Sequence, residues 1–236
     1  WGCDEGSVNR KAAMSDAVGS WVINPVEVEE AIEKAPFVYP RGMSDPRGVG
    51  NDYAFSKVPV IPLLYQHCEK QGRIPPLEQI IGFLLLQTDQ KYRDDPIAQS
   101  RAQKLIFDFL REFHCCGLLQ RHPRIASTTY KGAFDIKWNV DYVIRVLRCV
   151  DRVGIQATVR TMGWETEQDD AFLALHNRRR LKRGETPWEG PLYFLTNRTR
   201  ELRLVRRSML FTKEHIDDLV DTIQPQEAAP VAIKVS

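Results

Sequence analysis

"NVDYVIRVLRCVDRVGIQATVR", residues 139–160, holds two β-rich runs around a polar break, with Asp141 heading the first and Gln156 and Thr158 inside the second. Successive side chains of a strand point to opposite faces. In the second run Val153, Ile155, Ala157 and Val159 therefore turn toward a core, and Gln156, Thr158 and Arg160 turn away. In the first, Asp141 shares a face with Val143 and Arg145, opposite Tyr142, Ile144 and Val146. Paired as neighbours, the two strands bring Asp141 close to Gln156 and Thr158 at one edge of a sheet. A carboxylate, a carboxamide oxygen and a hydroxyl together make an oxygen-rich surface suited to a hard divalent cation. The same residues also read as ordinary strand chemistry. Asp141 can cap a turn or pair with Arg145, and Gln156 and Thr158 can be the solvent face of an amphipathic strand.

Working outward, residues 125–160 are strand-like, 164–183 helical, "PLYFLTN" (191–197) a strand and 202–211 extended. Thr212 is placed to cap a final helix over 212–223. Upstream, Asn24 as N-cap, Pro25 at the first helical position and Glu27 closing a capping box predict a helix over 25–35. "LEQIIGFLLLQTDQKY" (77–92) reads as a buried helix entered through Pro75-Pro76. A further helix covers 96–116, with a core stripe of Ile97, Leu105, Ile106, Phe109, Leu110 and Phe113, and Gly117 ends it. The expected fold is α/β, a mixed central sheet flanked by helices. Its core spans 96–223. A helical and irregular region (1–95) precedes it, for recognition or oligomerisation, and a loose tail (224–236) follows. "YPRGMSDPRGVGND" (39–52) reads as an irregular linker or functional loop.

The order helix, strand with Asp, strand with (Glu or Gln)-x-Lys, helix, strand resembles the PD-(D/E)XK nuclease-like superfamily, which includes restriction endonucleases. The resemblance covers about residues 97–197 and implies a restriction-endonuclease-like core. It implies that "VDYVI" supplies the family's Asp as Asp141 and "GIQAT" its Glu/Gln as Gln156, together holding Mg2+, with Mn2+ as the alternative ion. On this resemblance Asp141, Gln156 and Thr158 form the catalytic set. The preceding helix often carries one more acid in that family, for which Asp108 and Glu112 are the nearest candidates. Thr158 stands where the family has its Lys, and a hydroxyl carries no positive charge to set beside a phosphate. Arg160 and Lys137 are the nearby bases, and Arg, too basic to exchange protons, can still clamp a phosphate. The function implied is a metal-dependent phosphodiester hydrolase acting on DNA, of restriction or genome-maintenance type, with a homodimer by family analogy. The alternative is a catalytically inactive nuclease-fold module that binds nucleic acid or a protein partner.

Charge supports a polyanionic partner locally, not globally. The net charge is only +2, yet residues 178–207 hold ten Lys/Arg against three Asp/Glu. Arg178, Arg179, Arg180, Lys182, Arg183, Arg198 and Arg200 are the expected phosphate contacts, joined by Arg203, Arg206 and Arg207. The first of these also suit the C-terminal end of a helix, where the dipole favours cations. Five cysteines without regular spacing, and no export signal in the opening residues, point to reduced thiols and a cytoplasmic setting. The longest apolar run, "IIGFLLL" (80–86), is too short to span a membrane. His67-Cys68 and His114-Cys115-Cys116 match no zinc spacing and read as packed thiols. Phosphate-binding glycine motifs are absent from the sequence.

Overall fold

A long helix organises the molecule. The computed structural model describes residues 21–37, 54–55, 58–130, 140–148, 152–160, 192–198, 202–206 and 208–223. Within them α1 is Pro25–Glu33, α2 Val60–Gln71, α3 Leu77–Leu86 and α4 Pro96–Arg121, with a 3-10 turn at Gln90–Tyr92. The strands are β1 Ile125–Thr129, β2 Tyr142–Val146, β3 Val153–Arg160, β4 Leu192–Arg198, β5 Arg203–Val205 and β6 Ser208–Leu210; α5 is Lys213–Thr222. The expected helix 164–183, the loop 39–52 and the tail from Gln224 lie outside the described residues.

α4 runs for 26 residues, about 39 Å at 1.5 Å per residue. Asp95 caps its start by accepting the Ile97 amide at 2.9 Å, and Pro96 occupies the first turn. The helix does not stop at Gly117, as its glycine suggests, but continues to Arg121. Gly117 is instead a packing notch. A β-carbon there would lie 3.0 Å from the Ile23 carbonyl oxygen and 3.0 Å from the Pro25 ring. The core stripe is also shifted from expectation, since Ala98 and Ala102 are buried whereas Ile97 and Leu105 are only half-buried.

α1 lies across the C-terminal half of α4. Asn24 caps it as expected, its Oδ1 accepting the Val26 amide at 3.2 Å. Glu27 does not close a capping box; its carboxylate accepts the Ile74 amide at 3.0 Å and ties α1 to the loop before α3. Ile23, Val28 and Ile32 are fully buried, each worth about 1.5–3 kcal/mol of gross transfer free energy. α2 carries no signal that the sequence reading used, yet buries Leu64, Tyr65 and Cys68. Buried side chains from Ile23 to Ile223 form one hydrophobic cluster, so α1–α3 share the core of the sheet region.

The main sheet has the order β1-β2-β3-β4: β1, β2 and β3 form an antiparallel meander, and β4 joins β3 in parallel. The molecule is thus mixed helix and sheet, as expected. Parallel neighbours require a connection of a dozen or more residues, and the 31 positions between β3 and β4, 161–191, are long enough for one and lie outside the described residues. In β2 Tyr142, Ile144 and Val146 join the core cluster and Arg145 is exposed, as expected, but Val143 on the face of Arg145 is buried as well. Residues 202–211, expected as one extended segment, are a hairpin of β5 and β6 turned at Arg206.

Candidate active site

Asp141 answers to a different geometry from the one alternation predicts. β2 begins at Tyr142, and Asp141 lies just outside it in a bend. Its carboxylate does not stand on the sheet face beside Val143 and Arg145. It accepts the backbone amide of Ala157 on β3 at 2.7 Å, while its own amide donates to the Ile155 carbonyl at 3.0 Å. The physical reason is the end of the ladder. Where β2 stops pairing, a β3 amide lacks a carbonyl partner, and a buried unpaired amide costs about 1–3 kcal/mol. The aspartate side chain replaces that carbonyl. It is 9% exposed, a burial in which a charged group needs hydrogen bonds.

The β2–β3 register pairs Tyr142 with Ile155 and Val143 with Gly154, and past its end Asp141 is bonded to the Ile155 carbonyl and the Ala157 amide, on either side of Gln156. The backbone thus brings these two positions together across the sheet, as the sequence predicts. Along the β3–β4 ladder Gln156 pairs with Phe194, Thr158 with Thr196 and Arg160 with Arg198. The side chains of Gln156, Thr158, Arg160 and Arg198 are outside what the structure describes, as are Lys137, Arg178, Arg179, Arg180, Lys182, Arg183 and Arg200 altogether.

Behind Asp141 lies a buried group of phenols, thiols and one more acid. Tyr130 donates its hydroxyl to the Glu112 carboxylate at 3.0 Å, and Tyr142 donates to the Glu112 backbone oxygen at 2.9 Å. The two rings sit 5.4 Å apart. Burial first, then the negative charges of Glu112 and Asp141 among its neighbours, pushes each phenol well above its usual range. The same causes raise the Cys115 thiol. Both carboxylates therefore bear on the same buried groups. Of the two helix acids considered, Glu112 joins this cluster, whereas Asp108 pairs with Arg111 at 3.5 Å on the outside of α4.

The three cysteines among the described residues are structural. Cys68, Cys115 and Cys116 are fully buried. Burial pushes the Cys68 thiol up to about 12 and holds the other two protonated as well, so none offers a thiolate nucleophile.

Two arginines expected at a phosphate surface, though exposed, are bonded to groups of their own chain. Arg203 grips the Glu29 carboxylate with both terminal nitrogens, at 2.9 and 2.8 Å. Arg206 donates to the Glu33 and Ala35 carbonyls at the end of α1. Glu29 also accepts from the buried His114 Nε2 at 3.0 Å. Their partners lie more than 170 positions away in sequence, beyond any local pattern.

Among the described residues no helix is long and apolar enough to cross a membrane. Comparison with known proteins finds no matching family model, no matching curated protein and no matching solved structure.

Proposed function

We propose that the chain is a metal-dependent phosphodiester hydrolase acting on DNA, built on a PD-(D/E)XK-like core. The observation that carries this reading is a buried carboxylate, Asp141, bonded to the β3 backbone on either side of Gln156, with the half-buried Glu112 of α4 bearing on the same buried phenols and thiol. The described order of α4, the antiparallel strands with Asp141 and Gln156, and a parallel β4 is compatible with it, while the helix that the resemblance expects between β3 and β4 falls outside the described residues.

Among the described residues no group of three His, Cys, Asp or Glu side chains is placed to hold a metal. Mg2+ is nonetheless bound by many proteins through only one or two carboxylates plus water, so this donor chemistry fits. Asp141, with Gln156 and Glu112, would hold the ion, which when bound polarises the phosphoryl oxygen and activates water. Asp141 also fixes the edge of β3 through Ala157, and so sets the position of Gln156 relative to itself. Thr158 can orient a water by hydrogen bonding but supplies no charge. Arg160, beside Arg198 in the register, is the nearest base on β3 to clamp a phosphate.

The test is cleavage of plasmid and single-stranded DNA with Mg2+, Mn2+ or EDTA. The informative variant is Asp141→Asn, which keeps an acceptor for the Ala157 amide while removing the charge. Metal-dependent cutting that falls by about 100-fold or more in this variant supports the proposal; cutting that survives it sinks the proposal. Thr158→Lys, restoring the ammonium, is expected to raise the rate.

A second reading is a nuclease-fold module that binds nucleic acid without cutting it. The Asp141–Ala157 bond favours it, because that bond gives Asp141 a purely structural task. DNA bound but never cut under any metal is its signature.

A further inference from the structure

The end of the meander away from Asp141 is rich in arginine. Arg124 immediately precedes β1, Arg145 lies near the end of β2, Arg148 is in the β2–β3 connection and Arg152 immediately precedes β3. All four are exposed. The Leu147 amide donates to the Arg124 carbonyl at 2.7 Å, which fastens the connection to the start of β1. Arg145 stands opposite Ser127 on β1. Arg124 is neutralised by Asp221 of α5. Among the described residues Arg145, Arg148 and Arg152 have no ion pair. In sequence, residues 145–152 contain one acid, Asp151, which lies outside the described residues.

Arg148 is held at a φ of 69°. The left-handed region costs an L-residue other than Gly, Asn or Asp about 1–2 kcal/mol. At the other positive-φ arginine, Arg206, the guanidinium caps the carbonyls at the end of α1. Arg148 has no such internal task among the described residues, and its side chain is turned to solvent. A strained backbone carrying an unpaired charge is a place to look for function.

We infer that Arg145, Arg148 and Arg152 form a docking surface for the phosphate backbone of double-stranded DNA, at the opposite end of the sheet from Asp141. The separation along β2 from Asp141 to Arg145 is about 13 Å at 3.3 Å per residue. That span matches about five successive charges of one DNA strand spaced about 3.4 Å apart. A strand whose scissile phosphate lies near Asp141 reaches the arginines a few nucleotides away, and each guanidinium presents a two-pronged donor to phosphate oxygens. The choice of DNA as the polyanion rests on the proposed function; the clustering of charge does not.

The test is fluorescence anisotropy of a labelled 30-base-pair duplex in EDTA, titrated across KCl concentrations. It compares wild type with the combined variant Arg145→Gln, Arg148→Gly, Arg152→Gln. Arg148→Gly removes the left-handed penalty, so thermal melting of the variant reports any misfolding separately. The expected result is weaker binding and a salt slope flatter by about 2.7, since each phosphate contact contributes about 0.9. An unchanged slope and affinity overturn the inference, and so does a wild type that fails to bind the duplex. The exposed Leu147 motivates a parallel arm with phosphatidylserine–phosphatidylcholine vesicles. Binding to vesicles but not to DNA, lost in the variant, overturns it in favour of a membrane surface. Because EDTA suppresses cutting, the outcome is independent of the Asp141→Asn cleavage assay. Either proposal can fail while the other stands.

Discussion

The seam between α1 and the β5–β6 hairpin and the arginine end of the meander are built from the same residue type and do opposite things with it. In the seam Arg203, Arg206, Glu29 and His114 are bound to one another or to backbone. At the sheet end three exposed arginines have no acid paired to them among the described residues. Each region even contains one arginine in left-handed backbone. The difference teaches that a guanidinium's meaning lies in what chain returns to meet it. α1 comes back across the hairpin and supplies Glu29 and its terminal carbonyls; at the meander end, among the described residues, α5 returns and its Asp221 satisfies Arg124 alone.

The seam can be broken at its carboxylate. Glu29→Ala leaves the His114 Nε2 buried without an acceptor, and Arg203 without its partner. Urea unfolding is expected to show a loss of about 2–3 kcal/mol. A loss below about 0.5 kcal/mol would make the seam as inconsequential as an ordinary surface pair. Gly117→Ala attacks the same junction sterically, because Ile23 and Pro25 must retreat from the new methyl. It is expected to lose about 1–3 kcal/mol, read from the same unfolding curves.

Acidity probes the seam more gently. Burial lowers the His114 pKa below 6.5, against the opposing pull of Glu29, while Arg203 lowers it further. The native state therefore binds fewer protons than the unfolded state in this range, and stability rises with pH. The contribution is present above 6.5 and is lost as pH falls below it. Urea midpoints measured from pH 7.5 to 5 should decline less steeply in His114→Gln than in wild type. Equal slopes would mean that His114 is not the group responsible.

The smallest expected effects contrast the two left-handed arginines directly. Arg148→Gly should raise stability by about 1 kcal/mol through relief of the backbone. Arg206→Gly gains the same relief but loses hydrogen bonds to the end of α1, about 1 kcal/mol, and should come out near zero. Thermal melting of the two single variants measures the difference. Equal shifts would remove the distinction drawn between them.

What the sequence makes legible follows from the range of the forces involved. Local signals hold well: Asn24 caps α1, Asp95-Pro96 opens α4, and period-two alternation assigns Tyr142, Ile144 and Val146 to the core. The proximity of Asp141 to Gln156 is also readable, because adjacent strands share a register. Alternation fails at Asp141 itself, since a bend re-aims the carboxylate into the ladder. Glu27 and Gly117 carry local signatures of a capping box and a helix end, but distant chain claims both. Arg203 and Arg206 look like a continuation of the basic block for the same reason. Nothing within ten residues of them announces Glu29 or the end of α1.

The docking of α1 on α4 has a consequence for how the protein is made. The Ile23 amide donates to the Gln120 side chain, 97 positions later in the chain, and Arg203 meets Glu29 only after 174. Translation at about 5–20 residues per second leaves the apolar face of α1 waiting on the order of 5–20 s for the helix that covers it. During that interval Ile23, Val28 and Ile32 lack α4 to pack on, although Tyr65 of α2 and the Ile74 amide can already meet Trp21 and Glu27. α1 is thus made well before the helix that covers most of its apolar face, and that face is open to a chaperone on the nascent polypeptide until α4 emerges.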